Sequence, residues 1–167
     1  MPAESFGIIQ SQAPIGQSFT PSLSAVGFIR LDLFDLNFNN GKGATVYVNV
    51  RANSITGTIL GSSIPVVIPD SFGASGGFTN FVFDAAVPVV SGTVYYFDLV
   101  AQTGSDFWAV RRFVQGSDYL GGIEYIQGLP GIDDLWFREG VIIPEPASIA
   151  LLVVGAGFIL MRKRRDY

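Results

Sequence analysis

The chain has 167 residues, 49% hydrophobic and only 14% charged, with 20 Gly, 9 Pro and 14 Phe; this suits one domain of short strands and tight turns and argues against a charge-rich helical bundle. The formal charge of −4 hides an asymmetry, because Arg162, Lys163, Arg164 and Arg165 lie together near the end and leave residues 1 to 143 with six basic and twelve acidic side chains, a balance that excludes nucleic acid as a partner. With no Cys and no His, disulfides, thiolate metal sites and His-based catalysis are excluded too, and carboxylates remain the only realistic catalytic groups.

Strand signals recur along the body with turn residues between them. After a weak piece near Phe19, Val26 to Phe34 sets Ile29, Leu31 and Leu33 against Arg30 and Asp32. The turn Asn39-Asn40-Gly41-Lys42-Gly43 leads into Ala44 to Arg51, where Ala44, Val46, Val48 and Val50 alternate strictly with Thr45, Tyr47, Asn49 and Arg51. Weaker pieces follow near Ile59 and Val66, then Thr79 to Asp84, a weak piece near Val89, and Thr93 to Ala101. Phe107 to Val114, a weak piece near Ile123, and Leu135 to Arg138 complete the set. Nothing before residue 144 has a helical period. About eight antiparallel strands in this length predict an all-β, two-sheet sandwich of the jelly-roll type rather than a closed barrel.

Four aromatic residues are candidates for stacking on a sugar ring: Trp108, Tyr119, Tyr125 and Trp136. The competing explanation for each is core packing, although Trp136 alternates with Leu135 and Phe137 and is therefore expected on the other side of its strand. Asp118, Asp133 and Asp134 are candidate oxygen ligands for a structural calcium ion, against the plainer reading of solvated turn carboxylates. Apart from that calcium no cofactor is expected. Carboxylate catalysis would pair Asp32 with Asp35 or Asp133 with Asp134, but neighbours on a strand point to opposite faces, so the chain is read as noncatalytic. The alternative is a small carboxylate-dependent polysaccharide hydrolase. Arg111-Arg112, the only basic pair in the body, is a candidate contact for an acidic polysaccharide or, more plainly, the source of a surface ion pair.

Several short phrases of the body resemble bacterial exported β-sandwich domains related to carbohydrate-binding modules: Gln17-Ser18-Phe19-Thr20, Gly57-Thr58-Ile59-Leu60-Gly61-Ser62, Ser91-Gly92-Thr93-Val94-Tyr95-Tyr96 and Asp134-Leu135-Trp136-Phe137-Arg138. The resemblance implies a fold more than a ligand.

Beyond the body, the segment from Ala147 to Met161 carries no charge and a single hydroxyl. As a helix it would be about 22 Å long, which spans a hydrocarbon core if the bilayer thins or Arg162 snorkels. Arg162, Lys163, Arg164 and Arg165 resist translocation, so they form a stop-transfer signal that leaves the C-terminus inside and the body outside. Just upstream, Pro144-Glu145-Pro146 holds an extended backbone that a protease would read as a preformed strand. In that order, the Pro-Glu-Pro, the short apolar segment and the basic run resemble a PEP-CTERM sorting signal, a tail type also labelled as a C-terminal domain of ice-binding proteins. The resemblance covers about residues 143 to 167. It implies recognition at the membrane by an exosortase, removal of the tail, and a Gram-negative host with an extracellular polysaccharide matrix.

Proteins of this kind also carry an N-terminal secretion signal, and Met1-Pro2-Ala3-Glu4-Ser5 lacks its basic and apolar regions, so the true start is expected upstream. The organisation read from the sequence is therefore a β-sandwich body over residues 1–140, a Pro-Glu-Pro linker over 141–146, a transmembrane helix over 147–161 and a basic cytoplasmic tail over 162–167. The function implied is that of an exported surface or matrix protein whose body binds glycan or packs into the polymer.

Overall fold

A computed structural model of the chain describes residues 4–74, 77–103, 106–113 and 119–142. These residues contain no helix. They form β1 (Glu4–Ile8), β2 (Ile15–Phe19), β3 (Ala25–Asp35), β4 (Ala44–Ala52), β5 (Ile59–Ser62), β6 (Val66–Ile68), β7 (Phe78–Pro88), β8 (Tyr95–Thr103), β9 (Trp108–Phe113), β10 (Glu124–Ile126), β11 (Leu129–Pro130), β12 (Asp134–Leu135) and β13 (Phe137–Gly140).

The strands pair antiparallel in two sheets. In the first, β7 lies along one edge of β3, while the other edge is shared by β13 (Phe137 opposite Leu31) and by β9 (Leu33 opposite Val110); β1 completes the far side of β9. In the second, the order is β11-β10-β2-β8-β4, with β5 and β6 both on the outer edge of β4. The chain crosses between the sheets at eight of the twelve connections between successive strands, so neighbours in a sheet are mostly strands far apart in sequence.

The strictly alternating runs explain this layering. Ile29, Leu31 and Leu33 of β3 and Val46, Val48 and Val50 of β4 are fully buried, and together with Phe19, Phe81, Phe97, Leu99 and Trp108 they form one core between the sheets. Burying a side chain of this size stabilises by about 1.5–3 kcal/mol, so each strand is committed to one face and one register. The β10–β11 hairpin turns on Gln127 and Gly128 at φ of 54° and 75°, the left-handed pair that a two-residue turn between twisted strands requires.

Two expectations change in detail. Leu135 to Arg138 is not one continuous strand: it breaks at Trp136, whose N–H donates to the Arg111 carbonyl (3.0 Å), so that β12 pairs with β9 and β13 with β3. The segment changes partners because it fills the fork where β3 and β9 diverge. The weak signal near Val89 marks no further strand, since β7 ends at Pro88 and the Val89 N–H bonds the Ser24 carbonyl. Residues 143–146 of the linker, the apolar segment and the basic tail lie outside the described residues, among which no helix is long and apolar enough to cross a membrane.

Candidate functional site

The outer face of the first sheet gathers aromatic rings and arginines where a solvated sheet face normally shows mixed polar residues. Trp136 sits at the break between β12 and β13 and is 37% exposed. One side of its ring stacks on Phe113 of β9 (centroids 4.1 Å apart, 26° between planes), and Phe78 of β7 meets it edge-on at 6.0 Å. Both arrangements suit the ring quadrupole and fix the indole plane. The Arg30 guanidinium lies 4.7 Å from the Phe78 ring centre.

Arg30, Phe78, Trp136, Phe137 and Arg138 line a groove of about 150 Å³, and a neighbouring depression of about 320 Å³ shares Arg30 and Arg138 with it and adds Phe28, Asn80, Val82 and Ile142. Towards β1 the aromatic character continues: Arg111 lies 4.7 Å over Phe34, and Phe6, 44% exposed, packs edge-on to the same ring.

A buried polar lock behind this face holds the Trp136 segment. Arg112 points inward from β9 and pairs with Glu124 of β10 in the other sheet and with Asp133 (3.1 Å). The Gln17 amide of β2 donates to Asp134 (2.6 Å) and accepts from the Leu135 N–H (3.0 Å), while the Tyr119 N–H donates to the second Asp134 oxygen (3.1 Å). These bonds tie the two sheets together one residue from the exposed indole.

The residues singled out in the sequence do not converge. Trp108 is fully buried in the core and presents no ring face to solvent, which removes it from the stacking set. Tyr119 is half-buried, edge-on to Phe137, and its hydroxyl accepts from the Thr20 N–H (2.9 Å); burial pushes its pKa up. Tyr125 belongs to the outer face of the other sheet, edge-on to Tyr96 at 5.6 Å, and burial raises its pKa as well. Trp136 alone is exposed on the face described above. Asp118 lies outside the described residues. Asp133 and Asp134 already face a guanidinium, an amide and a backbone N–H, a donor environment that does not fit a calcium ion, and the described residues contain no cluster of three or more acidic side chains able to hold a metal.

Asp32 and Asp35 are likewise engaged separately. Asp32 pairs with Arg111 (3.2 Å) and accepts from the Gly77 N–H, whereas Asp35 accepts from the Asn37 and Ser71 N–H groups. Arg111 and Arg112 diverge as strand alternation requires, and both form ion pairs. A loop cluster at one end of the sandwich was not foreseen: Asp106 accepts from the Asn37 and Asn40 amides at 2.6 Å each, which holds its carboxyl below the usual carboxylate range, and the Gly41 N–H does the same for Asp70.

No family model, curated protein or solved structure matches this chain. The site presents the part-exposed rings of Trp136 and Phe78 beside the guanidinium groups of Arg30 and Arg138 in one groove. Phe78, Phe113, Arg30 and Arg138 were not among the sequence candidates. Only the polar positions of the two arginines within their strands hinted at exposure.

Proposed function

We propose that the chain is a noncatalytic glycan-binding protein of the bacterial surface or extracellular matrix, with a jelly-roll-type body that binds polysaccharide on the outer face of the first sheet. The observation that carries this reading is the solvent-facing indole of Trp136, braced by Phe113 and Phe78 at the edge of a groove. A rigid aromatic plane buries the apolar side of a pyranose with little loss of conformational entropy. The strand orders β1-β9-β3-β7 and β2-β8-β4-β5 support the jelly-roll assignment.

Delivery is by the C-terminal tail. Pro144, Glu145 and Pro146 form the site read by an exosortase, Ala147 to Met161 the membrane helix, and Arg162 to Arg165 the cytoplasmic stop. The body is thereby held outside the cytoplasm of a Gram-negative cell until the tail is removed.

The test is a glycan array probed with the full chain in a detergent that lacks a sugar headgroup, beside a Trp136→Ala variant. Binding to at least one polysaccharide class that the variant loses is expected. Uniform failure of the parent chain would leave only a structural role in the matrix.

A further inference from the structure

We infer that the ligand of this face is an acidic polysaccharide, with Arg30 and Arg138 gripping a sugar carboxylate; the inference rests on the glycan-binding reading above. Arg138 of β13 stands directly opposite Arg30 of β3 in the strand register. Like charges directly opposite destabilise a strand pair. Among the described residues neither guanidinium has a carboxylate partner, although the body as a whole carries twice as many acidic as basic side chains.

The other arginines of the body follow a different rule. Arg51 pairs with Asp98, Arg111 with Asp32, and Arg112 with Glu124 and Asp133. The fold thus neutralises those three and leaves two facing each other across one ladder rung. An anion between them converts the repulsion into a pair of charge-assisted bonds, and the planar fork of a guanidinium matches the two oxygens of a carboxylate.

Placement beside the aromatic platform points to a sugar acid rather than an isolated anion. Arg30 packs on Phe78, Phe78 touches Trp136, and both depressions on this face have the two arginines in their walls. A polymer lying across them would stack one sugar on Trp136, present a carboxylate to the arginines, and continue past Asn80.

The experiment measures binding of the full chain, in the same detergent, to polygalacturonate, to the same polymer after reduction of its carboxyl groups, to a sulfated glucan and to single-stranded DNA. Polygalacturonate is expected to bind roughly tenfold or more tightly than its reduced form and to weaken as salt is raised. The Arg30→Gln/Arg138→Gln variant should bind both polymers like the reduced one while melting at the same or a higher temperature, since it relieves the repulsion. Trp136→Ala should weaken both polymers alike.

Equal affinity of the parent for the two polymers, or a double variant that retains the preference for polygalacturonate, overturns the inference but leaves the glycan-binding reading intact. Tighter binding of the sulfated glucan or the DNA overturns the carboxylate assignment. Binding to none of the four probes counts against both.

Discussion

Replacing Arg112 with Met is the sharpest probe of how the two sheets are joined. Arg112 bridges Glu124, whose side chain is 1% exposed, and Asp133, at 9%. Removing it takes the guanidinium away from two buried carboxylates. Breaking one side of a buried pair costs about 3–5 kcal/mol, and because 19% of the Arg112 side chain is exposed to screening water, the lower end applies, about 3 kcal/mol. For a domain of this size that corresponds to a fall in Tm of about 6–12 °C.

Glu124→Gln should behave differently. Arg112 keeps Asp133 at 3.1 Å, and the glutamine oxygen still accepts a hydrogen bond, so the loss should be about 1 kcal/mol. Urea unfolding followed by circular dichroism measures both, with the slope of the transition checking that the unfolded state is unchanged. A loss of less than about 1 kcal/mol for Arg112→Met, or equal losses for the two variants, would refute the idea that this guanidinium holds the sheets together.

Trp136→Ala gives up its ring contacts with Phe113 and Phe78, worth about 0.5–1.5 kcal/mol each, and should lower stability measurably in the same unfolding assay without preventing folding. The depressed carboxyls of Asp70 and Asp106 contribute stability that is complete above the unfolded value near 3.8 and lost as pH falls from there through their folded values. Thermal melts between pH 5 and pH 2 should therefore decline, and Asp106→Asn should flatten the decline; an unchanged acid slope in that variant would contradict the role given to the Asn37 and Asn40 amides. Tyr119 titrates in the opposite sense, because its raised pKa adds stability below the usual value near 10 that is lost as pH rises through the folded value, so Tyr119→Phe should melt less steeply above pH 10. Full-length chain should partition into the detergent phase on phase separation, and a chain ending at Ile143 should stay in buffer; a full-length chain that stays in buffer would argue against the membrane helix.

The layered fold was readable wherever hydrophobic spacing is a local property. Ala44 to Arg51 and Val26 to Phe34 alternate because one face of each must be buried, and both strands formed within a residue or two of the expected limits. β1 was missed because Ser5-Phe6-Gly7-Ile8 is too short to display a period and is held by its ladder to β9. Trp108 was ambiguous for a related reason: Ala109 and Val110 beside it are buried as well, so alternation does not mark which face of β9 meets water. Trp136 was the opposite case, with buried Leu135 and half-buried Phe137 on either side pointing the other way. The arginine pair was beyond reach of the sequence, since Arg30 and Arg138 meet only through a register between distant strands.

The fork filled by β12 and β13 also governs when the body is finished during synthesis. Until residues 134–140 have emerged, β3 and β9 present a slot of unsatisfied backbone donors and acceptors, shaped to receive a strand from any chain nearby. The segment that closes that slot brings Trp136 and Arg138 with it. Closing the sheet and completing the aromatic and arginine face around Trp136 are therefore one event.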